Sequence, residues 1–194
     1  EFKTTNRNPA QADRCHGSLL WFRARELSSQ GDRKKLCFPS PSQTPGRLNM
    51  FNFNNFKVLL DYAHNPAGFR AIKDYVDQID ATKKVGIVAG VGDRRTEDNI
   101  ELGAIAAEMF DEIIIRQDRN LRGKNENDLI DEIHNGIKSV NPNKKVDIIR
   151  SEKDAIIHAI KNAEKDSLVI VSSDVVPDAL NLVMKLREKE RTAV

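Results

Sequence analysis

The sequence has few of the residues that several classes of protein and site require. Cysteine occurs twice, at Cys15 and Cys37, which is too few for a disulfide framework and the wrong spacing for a zinc site. No apolar run approaches the roughly 18 residues of a membrane helix, and the polar start has no signal-peptide pattern. A formal net charge of only +2 provides no polybasic face for nucleic acid or a membrane surface. We therefore predict a soluble, cytoplasmic protein.

Motifs for several kinds of catalysis are also missing. The sequence contains no G-x-x-x-x-G-K-[ST] phosphate loop, no G-x-S-x-G motif and no paired Cys/His arrangement. Its histidines and carboxylates have no metal-ligand spacing. His134 and His158 fall within predicted helices without an implied partner, which favours a structural or surface role. Any chemistry on a nucleotide would proceed without a P-loop from this sequence.

Residues 1–44 differ in composition from the rest of the chain. Their one apolar cluster, Leu19–Phe22, stands between polar stretches that cannot bury enough surface to offset the entropy of ordering. Residues 39–46 have the Pro and Ser content of a stiff linker. We expect 1–44 to be an irregular segment and linker, either of non-native origin or a remnant of a preceding domain, and 45–194 to form a domain.

From Phe56 onward, short apolar runs alternate with helical patterns. Apolar residues recur on one face of each predicted helix, as in the stripe Leu180, Val183 and Met184. An earlier segment, 48–53, alternates like a half-exposed edge strand. Successive strand–helix units require crossovers between parallel neighbours. We predict an α/β fold, a Rossmann-like three-layer αβα sandwich with a mostly parallel sheet plus an N-terminal edge strand. The predicted strands of its parallel part are Lys57–Leu60, Val85–Ala89, Ile113–Ile115, Val146–Ile149 and Leu168–Val171.

The strongest functional signal is the turn after the first of these strands, Asp61-Tyr62-Ala63-His64-Asn65-Pro66. Asn65 followed by Pro66 is typical of a helix start. The unpaired N–H groups and dipole of a helix N-terminus favour an anionic ligand such as phosphate. The alternative is a capped strand–helix connection with no ligand, which is the more frequent origin of so short a motif.

Two further loops concentrate unusual residues where ligands of open α/β sheets bind, at the carboxyl ends of strands. Gly90–Arg95 contains two arginines that suit a phosphate or carboxylate, but it lacks the third glycine of a dinucleotide fingerprint. Asp118–Gly123 combines a carboxylate with two arginines, as recognition of an amino-acid zwitterion requires. The alternatives are a solvated charged loop for the first and a polar turn for the second.

Three separated motifs also occur in a fixed order: Pro45-Gly46-Arg47, Asp61–Pro66 and Gly92–Arg95. Together they resemble the C-terminal domain of the Mur ligase superfamily, the ATP-dependent amide ligases that include peptidoglycan-precursor ligases and folylpolyglutamate synthetase. Residues 39–51 and 118–123 are most similar to the cyanophycin synthetase branch, in which a Mur-ligase-like module adds arginine to poly-aspartate. The resemblance covers about residues 38–190 and does not extend to residues 1–37.

The resemblance implies a reaction and a set of partners. In such ligases ATP phosphorylates a carboxylate, an amine attacks the acyl phosphate, and Mg²⁺ is held mainly by a central P-loop domain missing from this sequence. The implied partners are an amino-acid substrate, an acyl-acceptor polymer or peptide, and that P-loop domain. The C-terminal domain would contribute positioning and charge stabilisation, with no catalytic residue in this fragment. The isolated fragment is expected to be inactive.

The resemblance also implies which residues contact the nucleotide. Arg47 would reach the ATP phosphates from the end of the linker. Asp61 would accept hydrogen bonds from the ribose hydroxyls, and His64 and Asn65 would line the adenine.

Four other residues would contact the amino acid. Asp118 and Arg122 would hold it, Arg122 by its carboxylate, while Asp93 and Arg94 would border the same cleft. Two alternatives stay open: a peptidoglycan-type ligase domain, or a non-catalytic α/β module that binds a nucleotide or a protein.

Overall fold

The structure, a computed structural model, describes residues 44–192. The irregular segment predicted for residues 1–44 lies outside this range except for Thr44, and the domain boundary stays a prediction. Strands and helices alternate along the described part after an initial pair of strands. In chain order they are β1 (Asn49–Asn52), β2 (Lys57–Asp61), α1 (Pro66–Val76), β3 (Lys84–Ala89), α2 (Thr96–Met109), β4 (Glu112–Arg116), α3 (Glu126–Val140), β5 (Lys145–Ile148), α4 (Glu152–Lys161), β6 (Leu168–Ser172) and α5 (Val176–Thr192).

Within residues 44–192 the strands form one sheet in the order β1-β2-β6-β3-β4-β5. β1 pairs antiparallel with β2, from Asn49 opposite Leu60 to Asn52 opposite Lys57. The other neighbouring strands are parallel. The predicted mostly parallel sheet and its N-terminal edge strand are thus confirmed. Because β6 lies between β2 and β3, the carboxyl ends of the four adjacent parallel strands β2, β6, β3 and β4 lie side by side.

Helices cover both faces of this sheet, as the three-layer prediction requires. α4 and α5 pack on one face, where Ala155, Ile156 and Val183 belong to the same buried cluster as Val58 and Val169. α1, α2 and α3 cover the other face with apolar side chains that are almost fully buried, namely Phe69, Leu102 and Ile133. Full burial of one such side chain contributes about 1.5–3 kcal/mol, so both layers hold the strand ends in place.

The buried stripe predicted for α5 is wrong at one position. Met184 is 38% exposed, whereas Ala179, Leu180 and Val183 are buried. At about 100° per residue, the buried residues span an arc that ends at Leu180, and Met184 lies about 40° beyond it. The stripe is therefore narrower than apolar composition alone indicated.

The alternation predicted for β1 holds, but one buried position is polar. Asn49 is wholly buried on the side that also carries Phe51. Its polar groups are bonded to the end of the linker, which brings residues 44–47 against the sheet.

Candidate functional site

The entrance to α1 has the capping geometry that the sequence predicts. Asn65 is extended (φ −146°, ψ 161°), and its side-chain oxygen accepts the Gly68 N–H at 2.8 Å, with Pro66 as the first helical residue. This bond satisfies one of the unpaired N–H groups at the helix start. Asn65 therefore caps the helix with its amide oxygen, which leaves its NH₂ group as the part that can donate to a base.

The carboxylate of Asp61 joins the end of the linker to this turn. It is 8% exposed and accepts the N–H groups of Leu48 at 2.8 Å and Ala63 at 2.7 Å, one on each oxygen. Leu48 has a φ of 48°, a left-handed conformation that is costly for a residue with a side chain. Burial raises the pKa of Asp61, and the two N–H bonds and nearby Arg47 oppose that rise. Each oxygen keeps lone pairs that could accept a hydroxyl.

Asn49 fixes the segment from Thr44 to Arg47. Its Oδ1 accepts the Gly46 N–H at 2.6 Å, and its Nδ2 donates to the carbonyls of Thr44 at 3.0 Å and Arg47 at 3.3 Å. Gly46 has a φ of 72°, and a Cβ there would collide with the side chain of Val176. Glycine at position 46 thus allows both the turn and the close packing. The result is an exposed Arg47, held near Asp61 at the carboxyl end of β2.

His64 connects the turn to the next loop. Its Nδ1 lies 3.1 Å from the Tyr62 carbonyl oxygen, and its Nε2 lies 3.1 Å from a guanidinium nitrogen of Arg94. Because arginine can only donate, Nε2 accepts and Nδ1 carries the hydrogen, which is the neutral imidazole. The Tyr62 ring packs edge-on against the imidazole at 4.9 Å. Sequence reasoning placed His64 and Arg94 on different ligands and did not foresee this contact.

The two loops predicted to bind the amino acid pack tightly against each other. Arg122 forms an ion pair with Asp93 across them, and Arg94 Nε lies 3.9 Å from Asp93. A Cβ on Gly92 would collide with the Leu121 carbonyl, so only glycine permits this approach. Of the four residues predicted to contact the amino acid, the structure brings Asp93, Arg94 and Arg122 together here.

A buried carboxylate anchors both loops to α3. Glu132 accepts hydrogen bonds from Thr96 at 2.7 Å, Asn99 at 2.6 Å and Lys124 at 3.1 Å. Asn99 in turn accepts the Val91 N–H at 3.1 Å and donates to the Val91 carbonyl at 3.2 Å. Burial raises the pKa of Glu132, but these three donors outweigh it and hold the pKa below its ordinary value. Glu132 is thus ionised and positions loops on either side of it.

Asp118, the fourth predicted substrate residue, lies deeper, beside residues that sequence reasoning did not single out. It lines the same cleft as Asp174, which follows β6. Arg116, only 4% exposed, donates to Asp174 at 2.8 Å and to the Ser172 carbonyl at 3.0 Å. Its Nε also lies 3.4 Å from Glu152. A signal was available, because Arg116 directly follows the buried run Ile113–Ile115 and Asp174 comes three residues after the end of the run Leu168–Val171.

Arg116, Asp118 and Asp174 line a cleft at the carboxyl ends of β2, β6, β3 and β4. Its apolar wall includes Ala63 and Phe69, and its polar lining is made of His64, Arg116, Asp118, Ser172, Ser173 and Asp174. The cleft lies where the strand order departs from chain order, which is where open α/β sheets bind ligands. It can present both signs of charge to a zwitterion or a phosphate.

The described residues provide no ready set of side-chain ligands for Mg²⁺. Among residues 44–192, no group of three or more His, Cys, Asp or Glu side chains could hold a metal ion. None of the helices in this range is long and apolar enough to span a membrane.

Comparison with known proteins identifies the family. The family model described as "Mur ligase, glutamate ligase domain" matches residues 46–175. Cyanophycin synthetase from Geminocystis herdmanii is 40% identical over 160 residues, which is 82% of this chain and 18% of that protein. This chain thus spans about a fifth of the length of that relative.

Solved structures agree on the fold. A UDP-N-acetylmuramoyl-L-alanyl-D-glutamate–2,6-diaminopimelate ligase superposes with a TM-score of 0.66 at 16% identity, covering 76% of this chain and 32% of that one. E. coli FolC in complex with DHPP and ADP gives a TM-score of 0.58 at 17% identity, covering 74% and 32%. The predicted resemblance is confirmed: the chain belongs to the Mur ligase family, whose glutamate ligase domain it contains, and its similarity to cyanophycin synthetases extends over most of its length.

Proposed function

We propose that this chain is the C-terminal lobe of an ATP-dependent acid–amino-acid ligase similar to cyanophycin synthetase, which closes over ATP and binds the incoming amino acid. One observation carries the proposal. The residues predicted to contact the nucleotide and those predicted to contact the amino acid both lie at the carboxyl ends of the parallel strands, and the two sets meet at the His64–Arg94 contact. The P-loop and the ligands for Mg²⁺ would come from the rest of the enzyme.

The nucleotide would bind along the turn from Asp61 to Asn65. Arg47 is exposed beside it and can reach phosphates that another domain presents. Asp61 has lone pairs for the ribose hydroxyls, and the neutral His64 ring and the Asn65 NH₂ group suit an adenine. E. coli FolC, which contains a domain of this fold, was solved in complex with ADP, and that complex supports a nucleotide ligand here.

The amino acid would bind between the two substrate loops and the cleft. Arg122 is 47% exposed at its side chain, and its partner Asp93 is 40% exposed, so an incoming carboxylate can replace this ion pair at little cost. A guanidinium can bind such a carboxylate with two parallel hydrogen bonds. Asp118 would hold the cationic end of the substrate at the other side of the cleft.

The test is substrate-dependent ADP formation by the complete enzyme that contains this lobe. Poly-aspartate and a UDP-N-acetylmuramoyl peptide are each offered with ATP, Mg²⁺ and single amino acids. ADP formation that requires both an amino acid and poly-aspartate supports the cyanophycin-synthetase-like function. Dependence on the muramoyl peptide identifies the peptidoglycan-type alternative. Absence of ADP with every combination, although ATP binds, favours the non-catalytic module and contradicts the proposal.

A further inference from the structure

A cluster of acidic residues lies at the inner end of the cleft. Asp118 is 6% exposed and Glu152 is 8% exposed, and the side chain of Asp174 is 28% exposed. Arg116 is the cation that contacts Asp174 and Glu152. Three carboxyl groups therefore surround one guanidinium, and buried carboxylates that exceed their counterions are unfavourable unless another group compensates.

Two buried hydroxyl groups face the same cleft without a partner. Ser172 is 5% exposed and Ser173 is 2% exposed. Neither Oγ has a hydrogen-bond partner among residues 44–192, and both residues line the cleft beside Asp118 and Asp174. Unpartnered buried hydroxyls are rare in folded proteins. Independently of the acidic residues, they indicate that a polar group binds at this place.

We propose that Asp118 and Asp174 act as a pair that takes the proton from the ammonium group of the incoming amino acid. The inference rests on the proposed ligase function, because an amine must be uncharged before it can attack an acyl phosphate. Asp118 follows β4 and Asp174 follows β6, two strands that have β3 between them in the sheet, and both residues line the same cleft. The Ser172 and Ser173 hydroxyls can accept further N–H bonds from the same ammonium group.

The ammonium gives one proton to the carboxylate pair, and its nitrogen lone pair forms a C–N bond with the acyl carbon. The C–O bond to phosphate breaks, and its electron pair leaves with the phosphate. A second proton then leaves the nitrogen for phosphate or solvent, which produces the amide.

The surroundings of the pair suit a proton acceptor. Burial and the adjacent Asp174 raise the pKa of Asp118, although the Asn120 N–H and Arg116 oppose the rise. For Asp174, burial is outweighed by Arg116, which keeps its pKa below the ordinary value. Glu152 on α4 lies 3.4 Å from Arg116, and His64 lines the same cleft as the pair. The pair can therefore bind one proton while keeping one negative charge.

Asp174→Asn and Asp118→Asn in the complete enzyme test the proposal, since each amide keeps an oxygen for its present donor. We expect kcat at saturating amino acid to fall about 100-fold, a usual contribution of general-base catalysis, with the KM for ATP unchanged. The loss should shrink as pH rises, because more of the substrate amine is already uncharged. Asp80→Asn is the matched control, because Asp80 is an exposed carboxylate after α1, outside the cleft lining, and the variant should keep the wild-type kcat.

Hydroxylamine separates proton removal from structural damage, because it is largely uncharged at neutral pH and attacks acyl phosphates directly. Both variants should form hydroxamate from the carboxylate substrate and ATP at the wild-type rate. Equal loss of the hydroxylamine and amino-acid rates overturns the proposal, as does a higher KM for the amino acid with an unchanged kcat. If wild-type enzyme forms neither amide nor hydroxamate, the proposed ligase function fails instead, so the two failures are distinguishable.

Discussion

The proposed nucleotide side and the proposed substrate side of the site are built differently. On the nucleotide side, residues 44–65, the polar side chains bond mainly to backbone: Asn49 to three groups of the linker, Asp61 to two N–H groups and Asn65 to its helix. On the substrate side, residues 90–95 and 117–124, exposed side chains pair with one another, as Arg122 does with Asp93. Backbone partners are fixed by the fold, whereas exposed ion pairs are weak and exchange readily. We infer a preorganised nucleotide side and an adaptable substrate side.

The largest expected effect comes from Arg47→Ala in the complete enzyme. If Arg47 meets the ATP phosphates when the lobe closes, kcat should fall about 100-fold or more, the usual loss when one preorganised donor to developing charge is removed. The KM for the amino acid should change little. Steady-state kinetics with each substrate varied in turn provides the measurement. A proportional loss in amino-acid affinity would show that Arg47 does not belong to the nucleotide side alone.

Arg122→Ala should give the complementary result. Loss of a charged hydrogen bond costs about 1.5–3 kcal/mol, so the KM for the amino acid should rise about 10-fold to 100-fold while the KM for ATP stays the same. The melting temperature should hardly change, because the Arg122–Asp93 pair is exposed. If Arg122→Ala and Arg47→Ala lose the same amount in every parameter and in melting temperature, these arginines only stabilise loops.

Glu132→Gln should affect stability rather than exposed recognition. The substitution replaces one acceptor oxygen by an NH₂ group beside the Asn99 and Lys124 donors, which leaves a buried group unsatisfied. We expect the free energy of unfolding to fall by about 1–3 kcal/mol, measured by urea denaturation of this chain. Glu97→Gln is the control, because Glu97 is an exposed carboxylate on α2. Equal stability of the two variants would mean that the substrate loops are not anchored through Glu132.

The sequence was sufficient for most of the fold and for only part of the site. Apolar runs and helical stripes indicate which segments form strands or helices and which of their faces are buried, and these signals are local. The roles of Arg116 and Asp174 depend on β6 inserting between β2 and β3, a long-range placement that no local pattern encodes. The same holds for the burial of Asn49, because its partners belong to a linker whose path the residue types do not specify. The ligand roles of the eight residues named from the family resemblance stay predictions.

The smallest expected effect is an opposite pH dependence on the two sides. Burial raises the pKa of Asp61 above its ordinary 3.8, so the folded state binds this proton more tightly than the unfolded state. Its contribution is therefore present at low pH and is lost as pH rises through the folded pKa. Glu132 has a pKa below its ordinary 4.5, so its contribution to stability is present above that value and is lost as pH falls.

Urea denaturation of wild type, Asp61→Asn and Glu132→Gln between about pH 3 and pH 7 separates the contributions of Asp61 and Glu132 to the free energy of unfolding. The free energy of unfolding of wild type relative to Asp61→Asn should decrease with rising pH. The free energy of unfolding of wild type relative to Glu132→Gln should increase with rising pH. Parallel slopes for both variants would show that the carboxylates on the two sides are held alike, and the contrast between a preorganised and an adaptable side would lose its electrostatic support.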